Sequence, residues 1–203
     1  VAVNYNRSEK DAEDTVREIE EAGGRALAVR ADVTDEDQVK HLIETTCNSF
    51  GGLDILMANA GGPTVRCPTQ ELSDAQWDGD LDLNCKAVLY CVKHAVPRLP
   101  DDRGRIIVTS SISARSGGGP GTVPYAAAKG ALNNMIRSWA KEFAPRGITV
   151  NGIAPGIIWT RLHEKGTDPE EYKNLIKRIP LGRDGTPEDC VGAVLLLASN
   201  DGG

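Results

Sequence analysis

Short apolar runs alternate with segments of helical period along the whole chain, and this alternation constrains the fold more than any single motif. Val1, Val3 and Tyr5 alternate with Ala2 and Asn4 as in a short strand. Ser8 and Asp11 have capping-box spacing at the head of a helix bearing Ala12, Val16 and Ile19, and Gly23-Gly24 stops it. Arg25 to Arg30 reads as the next strand. Thr34-x-x-Asp37 then caps a helix with Val39, Leu42, Ile43, Cys47 and Phe50 on one face, closed by Gly51-Gly52. Leu53 to Ala58 is a continuous apolar run, the pattern of a buried parallel strand. The second half repeats the scheme. A long helix runs from the Ser73 cap to Leu99, a strand covers Arg105 to Thr109, a helix spans 122–143, and a strand covers Ile148 to Ile153. Asp168-Pro169 and Thr186-Pro187 mark two further helix starts, and Val191, Val194, Leu195 and Ala198 line the last helix. Strand–helix alternation with apolar strands predicts an α/β fold, a doubly wound parallel sheet between two helical layers, as one domain over 1–203.

Composition narrows the function. The 203 residues suffice for one core without disulfides or metal. Acidic residues outnumber basic ones by 29 to 23 and no basic stripe is visible, which argues against nucleic acid as a partner. The longest apolar stretch, Val191 to Ala198, is far too short for a membrane span, and no signal-peptide pattern opens the chain. Five cysteines without a C-x-x-C, and three scattered histidines, argue against a metal site or a disulfide framework. Free thiols in a reducing cytoplasm fit that usage. The chain starts inside a strand and stops at Asp201-Gly202-Gly203 just after a helix, without the strand, glycine turn and helix that open a doubly wound sheet. It therefore reads as truncated at both ends, an internal piece of a longer domain.

Neither a G-x-G-x-x-G nor a Walker sequence occurs. Ser116-Gly117-Gly118-Gly119-Pro120-Gly121 follows a strand and precedes a helix, but its proline removes an N–H that a phosphate cradle would use. It reads as a flexible loop beside a pocket. Tyr125 and Lys129 are four apart at the start of a helix, so they share a face. A phenol ordinarily titrates at about 10, and a neighbouring ammonium favours the phenolate, which suits proton transfer at neutral pH. Chance also produces this spacing, so the pair needs company. Ser111 follows the strand Arg105 to Thr109, Asn59-Ala60-Gly61 follows the preceding strand, and Asn151-Gly152-Ile153-Ala154-Pro155-Gly156 closes the following one. Ligands bind at the carboxyl ends of parallel strands. Asn84 lies inside the long helix, where a buried asparagine also reads as a satisfied hydrogen bonder.

The ordered set Ala31-Asp32-Val33, Asn59-Ala60-Gly61, Asn84, Ser111, Tyr125-x-x-x-Lys129 and Pro155-Gly156 resembles the classical short-chain dehydrogenases/reductases. Arg146-Gly147-Ile148-Thr149-Val150-Asn151 and Pro180-Leu181-Gly182-Arg183 resemble their 3-oxoacyl-(acyl-carrier-protein) reductase branch, and the resemblance covers essentially the whole chain. It implies a Rossmann-like fold and a hydride-transfer enzyme centred on Tyr125, the proton donor to a substrate carbonyl. In that reading Lys129 assists the tyrosine and hydrogen-bonds the nicotinamide ribose, Ser111 holds the carbonyl oxygen, and Asn84 anchors a water in a proton relay to Lys129. Asp32 and Val33 would contact adenine, Asn59, Ala60 and Gly61 would line the cofactor path, and Ile158 would back the nicotinamide. Pro155, Gly156 and Thr160 join the cofactor-binding set. Relatives assemble as tetramers through their long helices, which implies a homotetramer or homodimer here. Ala58 stands where the family usually has an asparagine, and Ser111 is one residue farther from Tyr125 than is common, which leaves Ser110 and Ser113 as alternatives.

Cofactor choice follows from Val3-Asn4-Tyr5-Asn6-Arg7. A site for NAD(H) wants an acid at the end of this strand for the ribose 2′-OH, and none is present. Asn6 and Arg7 stand there instead, and Arg7 is placed to meet a 2′-phosphate, so NADP(H) is favoured over NAD(H). The substrate is expected to be a small-molecule carbonyl or secondary alcohol, with a 3-oxoacyl thioester leading. A sugar or secondary-alcohol dehydrogenase with the same catalytic set is the second enzyme reading. A non-catalytic binding scaffold on the same fold is the reading from another class.

Overall fold

A computed structural model of the chain describes residues 1–160 and 169–202. β1 (Ala2–Tyr5) pairs in parallel with β2 (Leu27–Arg30). β3 (Ile55–Ala58), β4 (Arg105–Thr109) and β5 (Thr149–Ile153) form a second parallel sheet in that order. Every pairing is parallel and helices lie between the strands, so the α/β expectation holds. Among the described residues the strands form two parallel ladders, and none joins β1 to β3.

The helices are α1 (Glu9–Glu21), α2 (Glu36–Phe50), α3 (Asp74–Leu81), α4 (Ala87–Ala95), α5 (Ser113–Ser116), α6 (Val123–Phe143), α7 (Pro169–Ile176) and α8 (Glu188–Ala198). Leu56, Ile106 and Val150 are register neighbours whose side chains meet Val88, Val92, Leu132 and Ile136 of α4 and α6 in the main core. Side chains alternate along a strand. Ile55 and Met57 therefore point the other way, and they are exposed, since α8 packs on β4 and β5. β3 is thus buried on one face, where its apolar run predicted burial on both. Val33, just after β2, packs with Val39 of α2 and Ala87 of α4 in a small separate cluster.

Three local expectations are corrected. Ser8 is the N-cap of α1 but its side chain makes no capping bond, since its backbone (φ −93°, ψ 58°) is not the extended cap geometry. The cap of α2 is Asp35, whose carboxylate accepts from the Asp37 and Gln38 amides, while the Thr34 hydroxyl donates to Asp32 Oδ1 at 2.7 Å. The helix that begins at Ser73, with a full capping box to Gln76, is not continuous to Leu99. A π turn over Asp82–Lys86 interrupts it, and a 3₁₀ turn over Val96–Arg98 ends it at Pro97. The Asn84 side-chain amide donates to the Asp80 carbonyl, four residues back, at 3.0 Å. That bond competes with the helix ladder and widens the turn.

Candidate active site

The carboxyl ends of β3, β4 and β5 bring one group of predicted residues together. Tyr125 and Lys129 sit in the first turns of α6, with the Lys129 ammonium 5.8 Å from the Tyr125 ring centre. Lys129 is 2% exposed and donates to the Thr109 carbonyl at 2.8 Å, which ties α6 to the end of β4. Burial holds its pKa at about 8, below the ordinary lysine value, against a small opposing pull from Cys85. The Thr109 hydroxyl donates to Asn59 Oδ1 at 2.8 Å, linking β4 to the loop after β3.

The two serines after β4 are both buried but differ in hydrogen bonding. Ser110 Oγ donates its proton to Asn133 Oδ1 at 2.6 Å. Ser111 Oγ instead accepts from the Ser113 amide at 3.1 Å, which leaves its own O–H to serve another acceptor. The Ile112 amide donates to the Pro155 carbonyl at 3.0 Å, so the Ser111 turn and the Pro155-Gly156 segment lie together.

Asn84 is fully buried in the π turn. Its Oδ1 accepts from the Gly62 amide at 2.8 Å, and its Nδ2 donates to the Gly62 and Asp80 carbonyls. The side chain is therefore a clamp on the β3–α3 loop. Gly61 has a φ of 149°, and a Cβ there would lie 2.7 Å from Asn84 Oδ1 and 3.3 Å from Lys129 Nζ. Only glycine fits so close an approach.

A second group gathers at the ends of β1 and β2. Asn6 Nδ2 donates to Asp32 Oδ2 at 2.9 Å. The hydroxyl and amide of Thr34 hold the Asp32 carboxyl below the usual range, and Asn6 and the Arg7 charge add to this. A cleft of about 480 Å³ opens here, lined by Asn4, Asn6, Arg7, Ser8, Asp11 and Thr15. The amino end of α1 and the exposed Arg7 guanidinium make it favourable for an anion. The cleft beside Arg7 and the close backbone approach at Gly61 are compatible with a dinucleotide.

Ile158 and Thr160 follow the Pro155-Gly156 segment. Ile158 bridges to Gly185, and Thr160 is exposed. The Asp168 helix start lies outside the described residues. Val33 has its side chain in the core, leaving its backbone for a ligand. Thr109, whose carbonyl holds Lys129, and Asp80 beneath Asn84 carry no sequence signal of those contacts. A glycine pair after Asn59-Ala60 is the one signal that could have pointed to the loop contact.

A family model described as enoyl-(acyl carrier protein) reductase matches residues 1–203. A 3-oxoacyl-(acyl-carrier-protein) reductase of Staphylococcus aureus is 36% identical over 200 residues, covering 98% of this chain and 80% of that protein. The chain belongs to the short-chain dehydrogenase/reductase family. It is an oxidoreductase of that family. Among solved members, a dehydrogenase/reductase from Sinorhizobium meliloti has a TM-score of 0.93 at 36% identity, covering 100% of this chain and 79% of that one. A short-chain dehydrogenase from Burkholderia cenocepacia, in complex with NADP, has a TM-score of 0.92 at 31% identity, covering 100% and 81%. An NADH-dependent reductase, A1-R′, responsible for alginate metabolism, has a TM-score of 0.89 at 32% identity, covering 100% and 80%.

Proposed function

We propose that the chain is an NADP(H)-dependent reductase that converts a small-molecule carbonyl, with 3-oxoacyl thioesters leading, to a secondary alcohol. The observation that carries this reading is the buried Lys129 ammonium beneath Tyr125, on one face of α6 at the end of β4. The Ser111 hydroxyl donates to the carbonyl oxygen and holds it. Tyr125 gives that oxygen its phenolic proton as negative charge develops there, and the adjacent Lys129 charge stabilises the tyrosine oxygen that results. When bound, the nicotinamide supplies the hydride that reduces the carbonyl carbon. Lys129 would hold its ribose, Asn59, Ala60 and Gly61 would line its path, and Pro155, Gly156, Ile158 and Thr160 would close the nicotinamide side. Asp32 and the Val33 backbone would meet adenine. Asn84 acts by clamping Gly62, so any water it anchors in a relay to Lys129 meets its backbone.

Asn6 and Arg7 line the cleft that would take the 2′-phosphate, and the solved relative in complex with NADP agrees with that choice. NADH is the competing cofactor, since another solved relative is NADH-dependent. We also read the chain as one domain acting in the cytoplasm and as a homotetramer. Leu89, Val191, Leu195 and Leu196 offer exposed apolar surface for assembly. No helix of the described residues is long and apolar enough to cross a membrane.

The test is turnover of a carbonyl panel with NADPH and NADH, for the wild type and Arg7→Ala. The expected result is 3-oxoacyl thioester reduction with NADPH, and a NADPH KM raised roughly 10-fold or more in Arg7→Ala with the NADH value unchanged, as for loss of a charge-assisted hydrogen bond. Equal effects on both cofactors would remove the 2′-phosphate assignment. A folded, cofactor-binding protein that reduces nothing on the panel would overturn the activity. Sugars and simple secondary alcohols on the same panel separate the other dehydrogenase reading.

A further inference from the structure

Two side chains four residues apart grip the β3–α3 loop from below. Asn84 holds both polar backbone atoms of Gly62. Asp80, in α3 and wholly buried, accepts with one oxygen, Oδ1, from the Thr64 amide at 2.7 Å and from the Thr64 hydroxyl at 2.5 Å. The Asp80 carbonyl in turn accepts from Asn84 Nδ2 at 3.0 Å, so the two grips are joined. Thr64 is itself at the surface, and its hold on the buried carboxylate pins the outer end of the loop. The inner end, Gly61, lies directly over the Lys129 ammonium.

A carboxylate in a closed site is costly to bury, and the second Asp80 oxygen has no hydrogen-bond partner. An apolar side chain of similar volume would fill α3 more favourably. What Asp80 adds over such a residue is the anchor for Thr64.

We propose that Asp80 is a positioning residue for the reaction: by holding Thr64 it keeps the Gly61-Gly62 backbone against Lys129 and shields that ammonium from water. The inference rests on Lys129 being half of the catalytic pair. The groups that face Lys129 are the Tyr125 ring from its own helix, Cys85 from the π turn, the Thr109 carbonyl from β4 and the Gly61 backbone from the loop. Asp80 acts on it through the loop. Because burial is what depresses Lys129, a loosened loop admits water and raises its titration midpoint.

The experiment compares Asp80→Asn, Asp80→Val and Thr64→Val with the wild type. Lys129 is titrated directly by NMR of the lysine side chain, beside thermal melting and the pH profile of turnover. Asp80→Asn keeps the oxygen that Thr64 needs and is expected to titrate with the wild type. Asp80→Val is expected to raise the midpoint by about 0.5 pH unit or more and to move the alkaline limb of turnover with it. Thr64→Val removes only the hydroxyl bond at a surface position, and should shift in the same direction by less. It serves as the readout if Asp80→Val does not fold. A melting temperature that falls while every midpoint stays put would overturn the proposal and leave Asp80 a structural residue. A shift in Asp80→Asn as large as that in Asp80→Val would also overturn it, since charge rather than the Thr64 anchor would then be responsible. A wild type in which Lys129 titrates low but no carbonyl is reduced would instead refute the functional reading, with the loop anchor intact.

Discussion

Lys129 keeps 2% of its surface in water, and its chemistry follows from that burial. Its pKa of about 8 means that the folded protein loses the ammonium as pH rises through that value. Carbonyl reduction is therefore expected to fall along an alkaline limb near pH 8, read from kcat/KM with NADPH saturating; a flat profile to pH 10 would contradict the role of the charge. Stability moves the other way. Between that pH and the unfolded lysine value the unfolded chain binds more protons than the native one, so stability rises with pH there by roughly 1.4 kcal/mol per unit at most. The two serines make a second test at this scale. Ser111→Ala is expected to lower kcat by roughly 100-fold with little change in melting, as for removal of one donor to a developing oxyanion. Ser110→Ala should instead cost about 1 kcal/mol of stability by orphaning Asn133 Oδ1, with kcat largely kept. The positions of Tyr125, Lys129 and Ser111 were legible in the sequence because each is a reactive side chain at a strand end or on one helix face, and their roles remain the proposal above. Thr109 was not, because what it contributes is a backbone carbonyl, and composition carries no trace of that.

Elements were read best where a period or a turn residue forces the geometry. The parallel strands and the 21-residue α6 stand as expected, within a residue or two at their ends. Helix starts were read less well. Ser8 and Thr34 have the right chemistry for caps, yet the hydroxyl of Thr34 turns back to Asp32 and Asp35 takes its place. Asp35→Ala is accordingly expected to lower the midpoint of chemical denaturation, and Ser8→Ala to leave it nearly unchanged. Equal losses would put the cap of α1 back at the Ser8 side chain. The π turn was out of reach for a different reason. Its cause is the bond from Asn84 to the Asp80 carbonyl, and spacing alone cannot tell a helix that closes every ladder bond from one in which a side chain intrudes. The π turn places Asn84 under Gly62, so the departure from the predicted helix is also where the loop acquires its position.

At the scale of the whole molecule, two parallel sheets present their carboxyl ends as two groups of residues, Asn6, Arg7 and Asp32 in one, and Asn59, Ser111, Tyr125 and Lys129 in the other. The fold class was legible because strand–helix alternation with apolar strands has few other solutions. The division into two ladders was not, since a sequence pattern predicts strands but not which edges meet. The central claim of the proposed reaction is that Tyr125, next to the Lys129 charge, supplies the proton to the carbonyl oxygen, while the nicotinamide, when bound, supplies hydride to the carbonyl carbon. It is tested most directly by single-turnover reduction of a 3-oxoacyl thioester with NADPH bound in advance, comparing Tyr125→Phe with the wild type. The expected result is a chemical step slowed by roughly 100-fold or more with NADPH affinity unchanged. A Tyr125→Phe protein that reduces its substrate at the wild-type rate would contradict it.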